Sequence, residues 1–133
     1  MATRELEAKV RRRDGVAVID LQGDVDRQAE AAIASAYDEA ATEDPTSILL
    51  NFADTGYINS TGIALIVGVL ARARKEGRQI TACGLVEHYR EIFEITRLSD
   101  FMTIYGDEES AVGGRADDQA ASARADTTDE EGR

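Results

Sequence analysis

Tyr57-Ile58-Asn59-Ser60-Thr61-Gly62-Ile63 lies at the seam between a strand and a helix, and its reading decides the fold. Upstream, Ser47-Ile48-Leu49-Leu50-Asn51-Phe52 is a short apolar run between Pro45-Thr46 and Asp54, the pattern of a buried strand. Downstream, Ile63 to Ala73 holds only apolar residues, Gly68 and one arginine, and is too long for an ordinary strand. Arg72, Arg74 and Lys75 load its last turn, and Gly77 offers a C-terminal stop. Asn59, Ser60 and Thr61 therefore fall at a helix N-terminus, where unpaired N–H groups and the dipole favour negative charge. A hydroxyl there suits a phosphate, which would meet donors rather than repulsion. The same residue types are ordinary N-caps, and the local signal alone favours capping.

Working outward, Leu6 to Arg12 reads as a first strand with Leu6, Ala8 and Val10 on one face. Asp14-Gly15 is a hairpin signal, and Val16 to Leu21 is the returning strand, ended by Gly23. Asp24 or Asp26 then caps a helix over Arg27 to Thr42, with Ala29, Ala32, Ile33, Ala36, Tyr37 and Ala40 at helical spacing. Pro45 closes it. After the central helix come a strand at Gln79–Cys83, a break at Gly84, and a helix over Glu87 to Thr96. On that helix Tyr89, Ile92, Phe93 and the Ile95-Thr96 region face the core in part. Met102 to Tyr105 is a last strand, and Glu108 to Val112 a terminal helical turn.

The order β-β-α-β-α-β-α-β, with a weak final helix, predicts an α/β domain with a mixed central sheet and flanking helices. The central helix is apolar around its circumference from Ile63 to Ala71. Ala64, Val67, Gly68 and Ala71 form a small-residue side; Ile63, Ile66, Val69 and Leu70 form the other. One side packs the sheet. The second meets either a neighbouring helix or a partner protein.

At 133 residues one domain is expected, over residues 1–112. From Asp107 to Arg133 there are nine acidic and three basic residues and Val112 is the only large apolar one, so residues 113–133 read as a disordered acidic tail. The net charge of −11 excludes nucleic acid as a natural partner. Cys83, the single cysteine, is expected as a small buried residue. No apolar run approaches the roughly 20 residues of a membrane span, and no signal peptide is evident, which predicts no membrane insertion and a cytoplasmic location. His88 has no sequence-adjacent nucleophile, metal clusters fail with one His and one Cys, and no glycine-rich phosphate loop occurs. Asp20, Asp24 and Asp26 alternate as cation ligands could, but capping and turn roles are the simpler reading. No enzyme, no cofactor and no metal are expected; what remains is an interaction surface around one hydroxyl.

Residues 5–112 resemble the STAS domain family, named for sulphate transporters and anti-sigma factor antagonists. Leu21-Gln22-Gly23-Asp24-Val25-Asp26 is similar to the family's Leu-x-Gly-x-Leu-Asp ending of the second strand. Tyr57 to Ile63 is similar to its Asp-Ser-Ser/Thr-Gly-Leu/Ile signature, and Ile92 to Leu98 to the stretch before its last strand. The resemblance implies that Ser60 is the phosphorylated serine, with Thr61 as runner-up. It implies a partner that is an anti-sigma factor with serine-kinase activity, and a phosphatase as counterpart. Asp24, Asp26, Asn59, Ser60, Thr61, Gly62, Ile63 and Ile66 are then the expected partner-binding residues, with oligomerisation left open. Asn59 stands where the signature has Asp, keeping the cap and losing the charge. Two functions follow: an anti-sigma factor antagonist switched at Ser60, or an unmodified STAS adaptor in a stress-signalling assembly or transporter.

Overall fold

Asp14 and Gly15 take φ values of 50° and 82°, the paired positive dihedrals of a two-residue hairpin turn. They join β1 (Glu7–Arg13) to β2 (Val16–Val25) in an antiparallel pair that closes at Arg13 and Val16. In this computed structural model, residues 4–113 are described; the expected tail at 113–133 lies outside them except for Gly113. The rest of the main sheet is parallel. It runs β1-β2-β3-β5-β6, with β3 at Ser47–Asn51, β5 at Gln79–Cys83 and β6 at Thr103–Tyr105. The predicted mixed sheet with flanking helices is the observed architecture.

Alternate residues of the central strands enter two different cores, as the period of a strand requires. Ala17, Ile19 and Leu21 of β2, Ile48 and Leu50 of β3, and Ile80 and Ala82 of β5 face the three long helices. These are α1 (Glu30–Ala41), α2 (Ser60–Lys75) and α3 (Glu87–Ile95). Phe93 of α3 is fully buried there and meets Phe52 edge-on, with ring centroids 5.9 Å apart. Val16, Val18, Leu49 and Cys83 face the other way, beneath Ala111 and Val112 of a short helix at residues 108–113, here α4. The expected terminal turn is this helix, and it is the cover of the sheet's second face.

Two departures from the sequence reading shape the functional end. Gly23 does not stop β2. Its φ of 118° and the closeness of the Glu5 carbonyl, 2.7 Å from where a Cβ would sit, show a bend that only glycine accommodates easily. Beyond the bend, β2 continues to Val25 and pairs in parallel with an unpredicted strand, β4 (Thr55–Ile58), matching Gly23 to Thr55 and Val25 to Ile58. The first helix is also divided: Arg27–Ala29 is a 3-10 turn, capped by Asp26, which accepts from the Gln28 amide at 3.0 Å. Ile95, expected to face the core, is 79% exposed; Tyr89, Ile92 and Phe93 fill that side instead.

Candidate functional site

The paired ends of β2 and β4 set the position of the α2 N-terminus. The Asn59 amide donates to the Val25 carbonyl at 3.2 Å, which ties the residue before the helix to the last residue of β2. Asn59 is the N-cap: extended, with its side-chain oxygen accepting from the Gly62 amide at 2.8 Å. Its carbonyl accepts from the Ile63 amide at 2.9 Å. Gly62 passes so close to β2 that an added Cβ would overlap the Val25 carbonyl oxygen. This contact sets how near the helix can approach the strand.

Of the first four amides of α2, those of Gly62 and Ile63 are thus engaged. Among the described residues no acceptor occupies the amides of Ser60 and Thr61. Both side chains are exposed. The Ser60 hydroxyl therefore stands in solvent beside two open N–H groups and the positive end of a 16-residue helix. This arrangement can hold a phosphoryl group on the hydroxyl through charge-assisted hydrogen bonds.

The acidic residues near the site have separate tasks. Asp24 is buried and accepts from the Arg4 amide at 2.9 Å and the Tyr57 amide at 3.0 Å, binding β4 and the N-terminal segment to the bend in β2. It does not cap the first helix. Asp26, half-buried, makes that cap and follows Val25 just as Asn59 follows Ile58, so register sets Asp26 beside the site. Asp20 lies farther back, where its carboxylate is held below the ordinary range by Arg11, with a further bond from Asn51. Among the described residues no group of three His, Cys, Asp or Glu is arranged to hold a metal ion.

Beyond the partial core contact that its helix position predicts, Tyr89 accepts through its hydroxyl from the Ile58 amide at 3.1 Å and fastens α3 to β4 one residue before Asn59. Tyr57, exposed on β4, is a second residue at this end that the sequence reading left out. An aromatic residue in a run that pairs with β2 is the signal for Tyr57, but the pairing itself is nonlocal, as is the contact of Tyr89 on α3 with β4. His88 is exposed, and its ring meets that of Tyr89 at a tilt, with centroids 5.0 Å apart.

The two sides of α2 separate cleanly. Ile66, Val69, Leu70 and Ala73 are buried, with Ile63 half-buried beside them. Ala64, Val67, Gly68 and Ala71 are exposed, which makes the small-residue side a bare surface continuous with Ser60 and Thr61. Ile66, at 2% exposure, belongs to the core. Ile66, Gly62 and Asp24 thus support the site from beneath, and of the expected partner residues Ser60 and Thr61 present the open hydroxyls.

A hydroxyl at a helix N-terminus, set by the end of β2 and backed by a mixed sheet, is the arrangement this end of the chain presents. The model of the STAS domain family matches residues 7–111, and the chain belongs to that family. An anti-sigma-B factor antagonist of Listeria monocytogenes is 24% identical over 111 residues, 84% of this chain and 96% of that one. An anti-sigma factor antagonist from Mycobacterium paratuberculosis has a similar structure, with a TM-score of 0.71 at 17% identity over 82% of this chain and 92% of that one. The antagonist SpoIIAA is similar in its unphosphorylated form, with a TM-score of 0.64, 21% identity and coverage of 82% and 96%. Its phosphorylated form, a Bacillus cell fate determinant, gives 0.58, 22%, and 81% and 98%. These structural likenesses show the shared fold. Among the described residues no helix is long and apolar enough to cross a membrane.

Proposed function

We propose that this chain is a regulatory binding protein of the anti-sigma factor antagonist type, switched by phosphorylation of Ser60. The observation that carries the reading is the exposed Ser60 hydroxyl beside two unoccupied helix amides. Its partner is an anti-sigma factor with serine-kinase activity, which docks on the α2 N-terminus and the bare Ala64–Val67–Gly68–Ala71 side; a phosphatase resets the switch. The curated relative named as an anti-sigma-B factor antagonist and the existence of SpoIIAA in both phosphorylation forms support this reading. Phosphorylation adds roughly −1.5 to −2 charge units at neutral pH. The open amides accommodate that charge locally, whereas an apolar or acidic partner surface seated there is repelled.

One observation favours a second reading, an unmodified adaptor. The signature carboxylate is absent, and Asn59 is engaged in capping through the Gly62 amide. Incubation of the parent, Ser60→Ala and Thr61→Ala with the cognate kinase, followed by site mapping, separates the two. The switch reading expects phosphate on the parent and on Thr61→Ala but none on Ser60→Ala. It also expects Ser60→Asp to weaken the partner complex by at least about tenfold, roughly 1.4 kcal/mol, with Ser60→Ala nearly unchanged. Binding without phosphate on any variant establishes the adaptor.

A further inference from the structure

A groove of about 730 Å³ opens between the C-terminal half of α2 and the segment after α3. Its floor is apolar, with Val67, Leu70, Ala71 and Ile80 on one side and Leu98 and Phe101 on the other. Phe101 is 58% exposed, although large aromatic side chains are ordinarily placed where they bury area. Arg74, Arg78 and Arg97 line its rim together with Asp100, while Glu76 and Asp44 stand on Arg78, so Arg74 is the rim guanidinium without an ion pair among the described residues.

The three guanidiniums differ in how free they are. Arg78, only 11% exposed at its side chain, is engaged by Glu76 at 3.0 Å, Asp44 at 2.9 Å and the Pro45 carbonyl at 2.8 Å. Arg97 makes an open pair with Asp100 at 3.3 Å, and takes φ 70°, a left-handed conformation that glycine adopts more easily. Arg74 makes no ion pair among the described residues; its guanidinium carbon lies 5.9 Å from the centre of the Phe101 ring. An unneutralised arginine over an exposed aromatic, at the mouth of an apolar groove, calls for a ligand with an anion at one end and a hydrocarbon body.

We infer that this groove binds a fatty-acid-type amphiphile, with its acyl chain on the Leu70–Ile80–Phe101 floor and its carboxylate on Arg74 and Arg97. Size supports a small ligand over a protein segment. The volume falls within the roughly 300–1,000 Å³ of small-molecule sites. Charge complementarity selects the head group, since a carboxylate meets a planar guanidinium in two parallel hydrogen bonds while a cationic head is repelled. The groove begins at Val67, about 10 Å along α2 from Ser60, and reaches Arg74 at about 21 Å, so its arginine end is separate from the hydroxyl.

Amide NMR titration of the full chain with dodecanoate below its micelle concentration tests this, with dodecyltrimethylammonium and an acidic amphipathic peptide as parallel probes. Saturable shifts at Leu70, Arg74, Ile80 and Phe101 are expected for dodecanoate, with binding of the cationic amphiphile weaker by about tenfold or more. Arg74→Gln should reduce dodecanoate affinity about tenfold and abolish the preference for the anion. Phe101→Ala should weaken both amphiphiles. Both side chains are exposed, so unchanged thermal midpoints check that these variants fold. Equal binding of the two amphiphiles, shifts centred elsewhere, or no saturation would overturn the proposal. So would saturation of the groove by the acidic peptide with none by dodecanoate, which would make it part of a protein interface.

Discussion

The two faces of the sheet are covered by different physical means. On the helical face, three helices bury aliphatic and aromatic side chains around Phe93, Tyr37 and the inward residues of β2, β3 and β5. On the opposite face, a single short helix, α4, sets Ala111 and Val112 over Val16, Val18, Leu49 and Cys83. The apolar contact there is small, and charge supplements it. Glu108 accepts from Arg11 at 2.6 Å and from Arg13 at 2.8 Å, while Arg11 also holds Asp20 at 2.6 Å. The difference teaches that one sheet can be held mainly by apolar burial on one face and by a small apolar contact reinforced with ion pairs on the other. Burial sets the strength of the first; ionisation sets the attachment of the second.

The largest expected effect breaks the helical face. Phe93 is fully buried and touches Phe52, so Phe93→Ala removes a ring from a packed site and leaves a void. We expect a loss of about 3–5 kcal/mol in urea unfolding, nearly the same at neutral and mildly acidic pH. A loss below 1 kcal/mol would mean that the helical face is not the main source of stability. Next in size is Gly62→Ala, where the new methyl meets the Val25 carbonyl and either α2 or the end of β2 must shift. A cost of roughly 1–3 kcal/mol is expected, with amide shifts concentrated at Val25 and Asn59 to Ile63.

The opposite face should break with acid. The guanidiniums of Arg11, chiefly, and Arg13 hold Glu108 well below the ordinary carboxylate range, at about 2. A lowered folded-state value stabilises the protein above the unfolded-state value and loses that contribution as pH falls toward 2. Glu108→Gln should therefore cost on the order of 1 kcal/mol at neutral pH and flatten part of the acid limb of the stability curve. Cys83, beneath α4, reports on the same face, and the Glu108 charge helps to keep its thiol protonated. Its thiol is buried and pushed up to about 11, mainly by desolvation, so labelling at neutral pH is slow. We expect faster labelling in Glu108→Gln, partly from loss of the charge that keeps the thiol protonated and partly from opening of α4, and no comparable change in an exposed-site variant such as Ser60→Ala. Equal labelling rates would show that α4 remains in place without its ion pairs.

Local chemistry made much of this readable from the chain. Asp14-Gly15 encodes its turn, and Asn59 its cap. At the other end of α2, Gly77 and Arg78 donate back to the carbonyls of Arg74 and Ala73, as the glycine stop predicts. What escaped is nonlocal. The four residues of β4 contain Gly56 and follow Asp54, so they read as loop; their pairing with β2 depends on the bend at Gly23 and on Asp24, some 30 residues earlier. The period of α2 divided it into two apolar sides but could not say which was bare. Packing placed Ile66, Val69, Leu70 and Ala73 in the core and left Ala64, Val67, Gly68 and Ala71 outside, so Val67 and Val69 differ by position on the helix rather than by size. The run Arg11-Arg12-Arg13 carried no meaning until Glu108, 97 residues from Arg11, came to lie across it.

The smallest expected effect lies at the functional end of the helical face. Asn59→Asp keeps the cap geometry, because a carboxylate oxygen can accept from the Gly62 amide as the Asn59 oxygen does. It adds a negative charge beside the two open amides of Ser60 and Thr61, where charge and helix dipole agree. The expected gain is about 0.3–1 kcal/mol at neutral pH, with the register neighbour Asp26 opposing it and favouring the lower end. Because the gain comes from an ionised carboxylate, it should fade as pH drops below the ordinary carboxylate range, whereas the Phe93→Ala loss should persist. Paired thermal melts of parent and variant at neutral and acid pH read this directly. A gain that survives acid would show that capping geometry, not charge, is the source. A loss at neutral pH would show that repulsion from Asp26 exceeds the dipole, and that asparagine at this position relieves a crowded acidic site.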